Sequence, residues 1–248
     1  MSGSDGERSP FAQRWFLGAA GFMAVLAAMV LVLVLTHGGS SRVGGPASQP
    51  TAQPRMAVAT SSTASDQSAS GGPNRCNLPA GSQSVPTAPP SSSWTLEGSM
   101  AIPTSHAVGP ERHVDGFPVC YAHDPDGALF AAVAFWGAAT AAPPAGVYRQ
   151  LAADTPTRAQ ALASSRGDNS RLSDNGQVSL AGFTFASYTP QSASVAIVLQ
   201  TTQGAMVAVT CTMIWQNGDW HYEIPPGGTP PASQITGLDG YTAWGAAS

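Results

Sequence analysis

Lysine is absent, so all ten basic positions among the 248 residues are arginines. That absence excludes Walker-type phosphate loops, Schiff-base lysines and Ser-Lys dyads, each of which needs the ε-amine. Charge of either sign is scarce, at a tenth of residues, and the formal net charge is −4. Two acids and two arginines precede the long apolar run, and 12 acids against eight arginines follow it. A mildly acidic chain of this kind has no basic stripe to hold nucleic acid. Arginine in place of every lysine, with heavy use of Ala, Gly and Pro, points to a GC-rich bacterial source.

What is abundant divides the chain. Residues 15–36 carry no charge, and about 22 residues at 1.5 Å rise span a hydrocarbon core of roughly 30 Å. This reads as a transmembrane helix. Arg8 and Arg14 stand ahead of it, which by the positive-inside rule puts a tail of residues 1–14 in the cytoplasm. The competing reading, a cleaved signal peptide, calls for a shorter apolar core of about 7–15 residues. Residues 37–75 are mostly Gly, Ser, Thr, Pro, Gln and Ala, with too little apolar area to offset the entropy of ordering them, so a disordered linker is expected. The folded domain is expected over 76–248, beginning with an extended arm through Cys76, Pro79 and Val85.

Within that domain, residues 94–100 alternate as a strand would. Asp124-Pro125-Asp126-Gly127 has the N-cap, first-turn proline and early acid of a helix start, and the helix should run to about Ala139. It carries no charge after Asp126, so it should be buried on most sides. Two short helices follow at 147–153 and 157–165, then a polar loop at 167–176. The last third reads as strands at 178–188, 194–201, 205–215 and 220–224. Asn217-Gly218 is the strongest hairpin signal, because both residues tolerate positive φ. Val207, Val209, Cys211, Met213 and Trp215 share one face of their strand, and Trp220, Tyr222 and Ile224 share one face of the next. The fold class is therefore α+β, a curved antiparallel sheet wrapped on a helix.

One long apolar helix, two short ones and a strand meander closing in Trp215-x-x-Gly218-Asp219-Trp220 resemble the nuclear-transport-factor-2-like cone over residues 118–224. A transmembrane helix and linker ahead of such a cone resemble the inner-membrane assembly component of type IV secretion and conjugation systems, and the Mce-associated membrane proteins of actinobacteria. Cys76-Asn-Leu-Pro-Ala-Gly, Trp94, Gly109-Pro110, Cys120-Tyr-Ala-His, Gly182-Phe-Thr-Phe-Ala-Ser-Tyr188, Gly218-Asp-Trp and Leu238-Asp-Gly-Tyr241 together resemble an actinobacterial membrane-protein domain family of unknown function. The resemblance implies a fold, a location at the cell membrane, and association with membrane or conjugation machinery.

Chemistry-bearing residues are few. If the domain lies outside the cytoplasm its cysteines face an oxidising compartment, where an even pair closes a bridge. Cys211 falls on an apolar strand face, which leaves Cys76 and Cys120 as the expected disulfide. His106, His113, His123, Asp124 and Asp126 match neither a zinc spacing nor a calcium loop, so no metal is expected. Tyr148, Asp154, Tyr188, Asp219 and His221 are the acid–base candidates a catalytic cone would need. Asp219 is explained by its turn, His221 and Glu223 by a solvated face, and Arg149 with Asp154 by helix spacing. Neither catalysis nor a cofactor is expected. The tail 225–248 carries Tyr241 and Trp244, which either anchor a partner, alongside strand addition, or close the open end of the cone. Two functions stay open: a membrane-anchored scaffold of an export or conjugation complex, and a small-ligand-binding or envelope-sensing cone.

The topology is open to a direct check. A reporter that fluoresces only in the cytoplasm should work fused to the N-terminus and fail fused after Ser248. Signal at both ends, or a mature chain starting near Ser48, contradicts it.

Overall fold

Asp124 accepts a hydrogen bond from Gly127 N at 2.8 Å and Pro125 occupies the first turn, so helix α1 starts where its sequence signals it. In the computed structural model, which describes residues 76–246, α1 spans Pro125–Ala141. The expected cytoplasmic tail, transmembrane helix and linker all lie outside the described residues. Among the described residues no helix is long and apolar enough to cross a membrane. Fourteen of the 17 residues of α1 are buried, which fixes the architecture around it. Helices α2 (Pro144–Leu151) and α3 (Pro156–Ser164) follow, each with a proline in the first turn. A 3-10 turn, Leu172–Asn175, interrupts the stretch read from sequence as plain loop.

The strands in chain order are β1 (Ser93–Glu97), β2 (Met100–Thr104), β3 (Arg112–Val114), β4 (Phe117–Val119), β5 (Val178–Thr189), β6 (Ser192–Thr201), β7 (Met206–Gln216), β8 (Asp219–Tyr222), β9 (Ala232–Ile235) and β10 (Thr242–Ala243). The main sheet is antiparallel in the order β10-β5-β6-β7-β8, and β9 pairs with the start of β7. Its register places Ile197 opposite Val209, Val195 opposite Cys211 and Trp215 opposite Trp220. Bulges near Gly182 and Ser187 bend β5. Asn217 and Gly218 both have positive φ, +56° and +84°, as the two-residue hairpin requires.

The meander, the helix order and the buried faces agree with the sequence reading; other features do not. Residues 94–100 were expected to be one strand. Gly98 at φ +60° instead turns the chain, and β1 pairs with β2 as a hairpin. A Cβ at Gly98 would come within 2.8 Å of the Ala141 backbone, so the turn is seated on the end of α1. There Thr140 Oγ1 accepts from Ser99 N at 3.0 Å and lies 2.9 Å from Glu97 O, to which it donates. A second hairpin, β3–β4, turns at Asp115-Gly116 with φ +51° and +85°.

The C-terminal tail packs back onto the domain. Of the two alternatives for it, partner anchoring with strand addition or closure of the domain's open end, the structure has the second at Trp244, and the tail adds its own strands, β10 to β5 and β9 to β7. Trp244 is 6% exposed and its ring lies 5.3 Å from Trp94, 5.4 Å from Phe130 and 5.5 Å from Phe183. Its backbone N–H donates to Ala181 O at 3.0 Å. An indole held this way closes the core and is not an exposed anchor. Tyr241 is half-buried in a turn closed by its own N–H to Leu238 O at 2.9 Å.

Trp244→Ala should therefore cost about 3–5 kcal/mol in urea unfolding, as loss of a large core side chain does. Tyr241→Ala should cost about 1 kcal/mol or less. Equal losses at the two positions would contradict the burial of Trp244.

Candidate functional site

The N-terminal arm meets the body of the domain at one covalent point. Cys76 and Cys120 are joined as a disulfide, with Cα atoms 5.1 Å apart across 44 residues of chain. Downstream of the bridge the arm is held by hydrogen bonds. Asn77 N donates to Glu111 Oε2 at 3.2 Å and Gly81 N to Asp124 Oδ2 at 2.7 Å. Gln83 Nε2 donates to His123 O at 2.9 Å, and Tyr188 Oη donates to Gln83 Oε1 at 2.8 Å. Asp124 thus caps α1 with one oxygen and holds the arm with the other. The His123 ring lies flat on Trp215 at 3.9 Å and contacts Pro190 O through Nε2.

Cys120 itself has an uncommon backbone, φ +74°, a region that costs an L-residue roughly 1–2 kcal/mol. Its surroundings hold it there. Cys120 N donates to Asp219 Oδ2 at 2.7 Å, and Glu111 N donates to Cys120 O at 2.9 Å. The other carboxylate oxygen, Asp219 Oδ1, accepts from Tyr121 N at 3.0 Å and Trp220 N at 2.9 Å. The Trp220 indole N–H donates to Ala122 O at 3.0 Å, a second link between β8 and the segment that enters α1. Asp219 was expected to serve only its turn. It instead accepts three backbone N–H groups, two of them from a segment about a hundred residues earlier in the chain.

The electrostatics follow from that burial. Desolvation raises the Asp219 carboxyl above the ordinary range, opposed by the hydrogen bonds from Cys120 and Tyr121, by His221 and by the hydrogen bond from Trp220. Desolvation lowers His221, while the Asp219 charge pulls it back up. The expectation that His221 lies on a solvated face is corrected: it is half-buried, and its Nδ1 is buried with no hydrogen-bond partner among the described residues. Beside the pair is a cavity of about 10 Å³ lined by Asp219, His221, Tyr121 and Gln150 with apolar neighbours. That is room for one water.

The remaining candidates are scattered. Tyr148 packs on Phe135 at 6.4 Å, and Asp154 pairs with Arg158 at 3.2 Å rather than with Arg149. His113 lies 4.0 Å from Glu97. Cys211 is buried, accepts from Trp136 Nε1 at 3.2 Å, and its thiol is pushed up to about 12 by desolvation. Cys76, Cys120 and Asp219 do cluster, but two sulfurs bonded to each other have no thiolate to offer a metal.

Residues 49–243 match the model of a family described as a domain of unknown function (DUF8175), and the chain belongs to that family. No curated protein and no solved structure matches the chain.

The geometry makes Asp219 a tie between two ends of the domain. Asp219→Asn should destabilise by about 1–3 kcal/mol, because an amide donor then faces backbone N–H groups left short of an acceptor. Asp219→Ala should cost at least as much. Exposed Asp239→Asn should shift urea unfolding by no more than about 0.5 kcal/mol. Indistinguishable unfolding of the Asp219 and Asp239 variants would return Asp219 to a turn role.

Proposed function

We propose that this chain is a single-pass, membrane-anchored scaffold whose domain lies outside the cytoplasm and holds protein partners in an envelope complex of the conjugation or secretion type. The observation that carries this reading is the clamped arm. The segment following the linker is joined covalently to the body at Cys76–Cys120 and hydrogen-bonded along its length, so the domain is attached at a defined point. A disulfide of this kind is suited to an oxidising compartment, which supports the outside location. In this reading residues 15–36 are the anchor and 37–75 the linker.

The interior supports scaffold over ligand binder. Phe130, Phe183, Ile197, Met213 and Trp244 fill the space between α1 and the sheet. Ligand pockets are mostly apolar clefts with convergent polar groups. One feature favours the second reading, a small-ligand or sensing domain: a groove of about 470 Å³ on the helical side, lined by residues including Arg149, Leu162, Arg166 and Asp168. Half-exposed Tyr241 is the partner contact that survives from the tail.

Purification of the tagged full chain from detergent-solubilised membranes tests this. A complex containing at least one other membrane protein in fixed ratio, weakened by Tyr241→Ala without loss of folding, is the expected result. A chain that elutes alone and carries a bound small molecule in native mass spectrometry would replace the scaffold with the ligand-binding reading.

A further inference from the structure

We propose that Cys76, Cys120 and Asp219 form a thiol–disulfide exchange site that latches the arm, with Asp219 as proton donor to, and acceptor from, Cys120. One carboxylate oxygen of Asp219 and the two sulfurs lie within 4.8 Å of one another. Asp219 holds the Cys120 backbone, and the same carboxylate also stands within reach of both sulfurs. The proposal stands on this geometry and does not depend on the scaffold reading.

Accessibility decides which sulfur is attacked. Cys76 is half-buried at the start of the arm, whereas Cys120 is 2% exposed. A thiolate of an external dithiol therefore attacks Cys76 Sγ, the S–S bond breaks, and its electron pair passes to Cys120 Sγ. The Asp219 carboxyl gives its proton to that sulfur. The second thiolate of the dithiol then displaces Cys76 Sγ, which takes a proton from water, and the dithiol leaves as a cyclic disulfide. Two electrons have moved from dithiol to bridge, and two protein thiols result. Asp219 regains its proton by way of the one-water cavity it shares with His221. Oxidation runs the steps backwards, with ionised Asp219 taking the Cys120 proton.

The protonation state of Asp219 is thus the gate. Ionised, it sets a negative charge beside the thiolate that must leave, and a thiol made harder to ionise leaves more slowly. Protonated, it removes that charge and supplies the proton. Burial raises this carboxyl, which brings its proton nearer to use. The other titratable groups around it are Tyr121 from the segment before α1, His221 on its own strand, and Arg158 of α3 beyond His221. Glu97 of β1 acts on Tyr121, while α2 contributes neutral Gln150 and α1 only Ala131.

The test is the reduction rate of the full chain in detergent by a water-soluble phosphine, which with one water becomes the phosphine oxide as two thiols form. Alkylation and mass mapping count Cys76 and Cys120, and wild type is compared with Asp219→Asn between about pH 4 and 8. The ratio of variant to wild-type rate cancels the reductant's own titration. The expected ratio is about tenfold or more at the alkaline end and falls with pH to below one as wild-type Asp219 becomes protonated, because the amide has no proton to give. A variant that merely loosens the fold raises the rate equally at every pH. A ratio that does not decline with falling pH, whether near one or raised throughout, overturns the proposal.

Discussion

A 17-residue helix with no charge after Asp126 cannot be left against water, and the rest of the domain follows from covering it. One sheet face covers one side of α1, through β6, β7 and β8. The β1–β2 hairpin approaches another side so closely that a Cβ at Gly137 would lie 2.4 Å from the Ile102 side chain. Helix α2, the 3-10 turn and Trp244 occupy what remains. Burying a large apolar side chain is worth about 1.5–3 kcal/mol, so Leu129, Phe130, Val133 and Phe135 outweigh any single polar contact described above.

The elements that cover α1 were readable from the amino acids where their signals are local. Period, caps and turn residues are local, and they located α1, α2, α3 and the β5–β8 meander within a few residues. Alternation placed Cys211 inward, which singled out Cys76 and Cys120 as the bridge. The failures are equally physical. Gly98 looks like an ordinary strand residue until its approach to Ala141 is known. Strands β9 and β10 have two to four residues, too few for a period, and exist because the edges of β7 and β5 stood open. The two alternatives for Trp244, anchor or closure, could not be separated locally because its cover, Trp94, Phe130 and Phe183, comes from three distant segments.

Asp219 shows why site residues are harder to read than elements. An acid after Asn-Gly has a sufficient local reason to be there, since turns favour short polar side chains. Its donors, Cys120 N and Tyr121 N, lie 99 and 98 residues away, and no spacing rule reaches that far. One signal was present. Asp219 and His221 are two apart on a strand whose intervening Trp220 is buried, so they share a face, and β8 sits within a sheet covered on its other side by α1. A face bearing two titratable groups can be covered as well, provided the covering segment brings donors, and here the segment entering α1 does so.

The arm is held differently from the core. Residues 77–85 are exposed apart from half-buried Leu78, so burial contributes little there. The hydrogen bonds of Asn77, Gly81 and Gln83 are worth about 0.5–1.5 kcal/mol each, whereas ordering the backbone costs about 1–2 kcal/mol per residue. Nine ordered residues outweigh those bonds. The covalent link narrows the gap, since closing a loop of this length is worth roughly 4 kcal/mol on the chain-entropy estimate. It also keeps the first arm residue beside the body whenever the bonds beyond it open. The Cys76–Cys120 bond ties the start of the arm to the body, and the hydrogen bonds choose the path it follows from there.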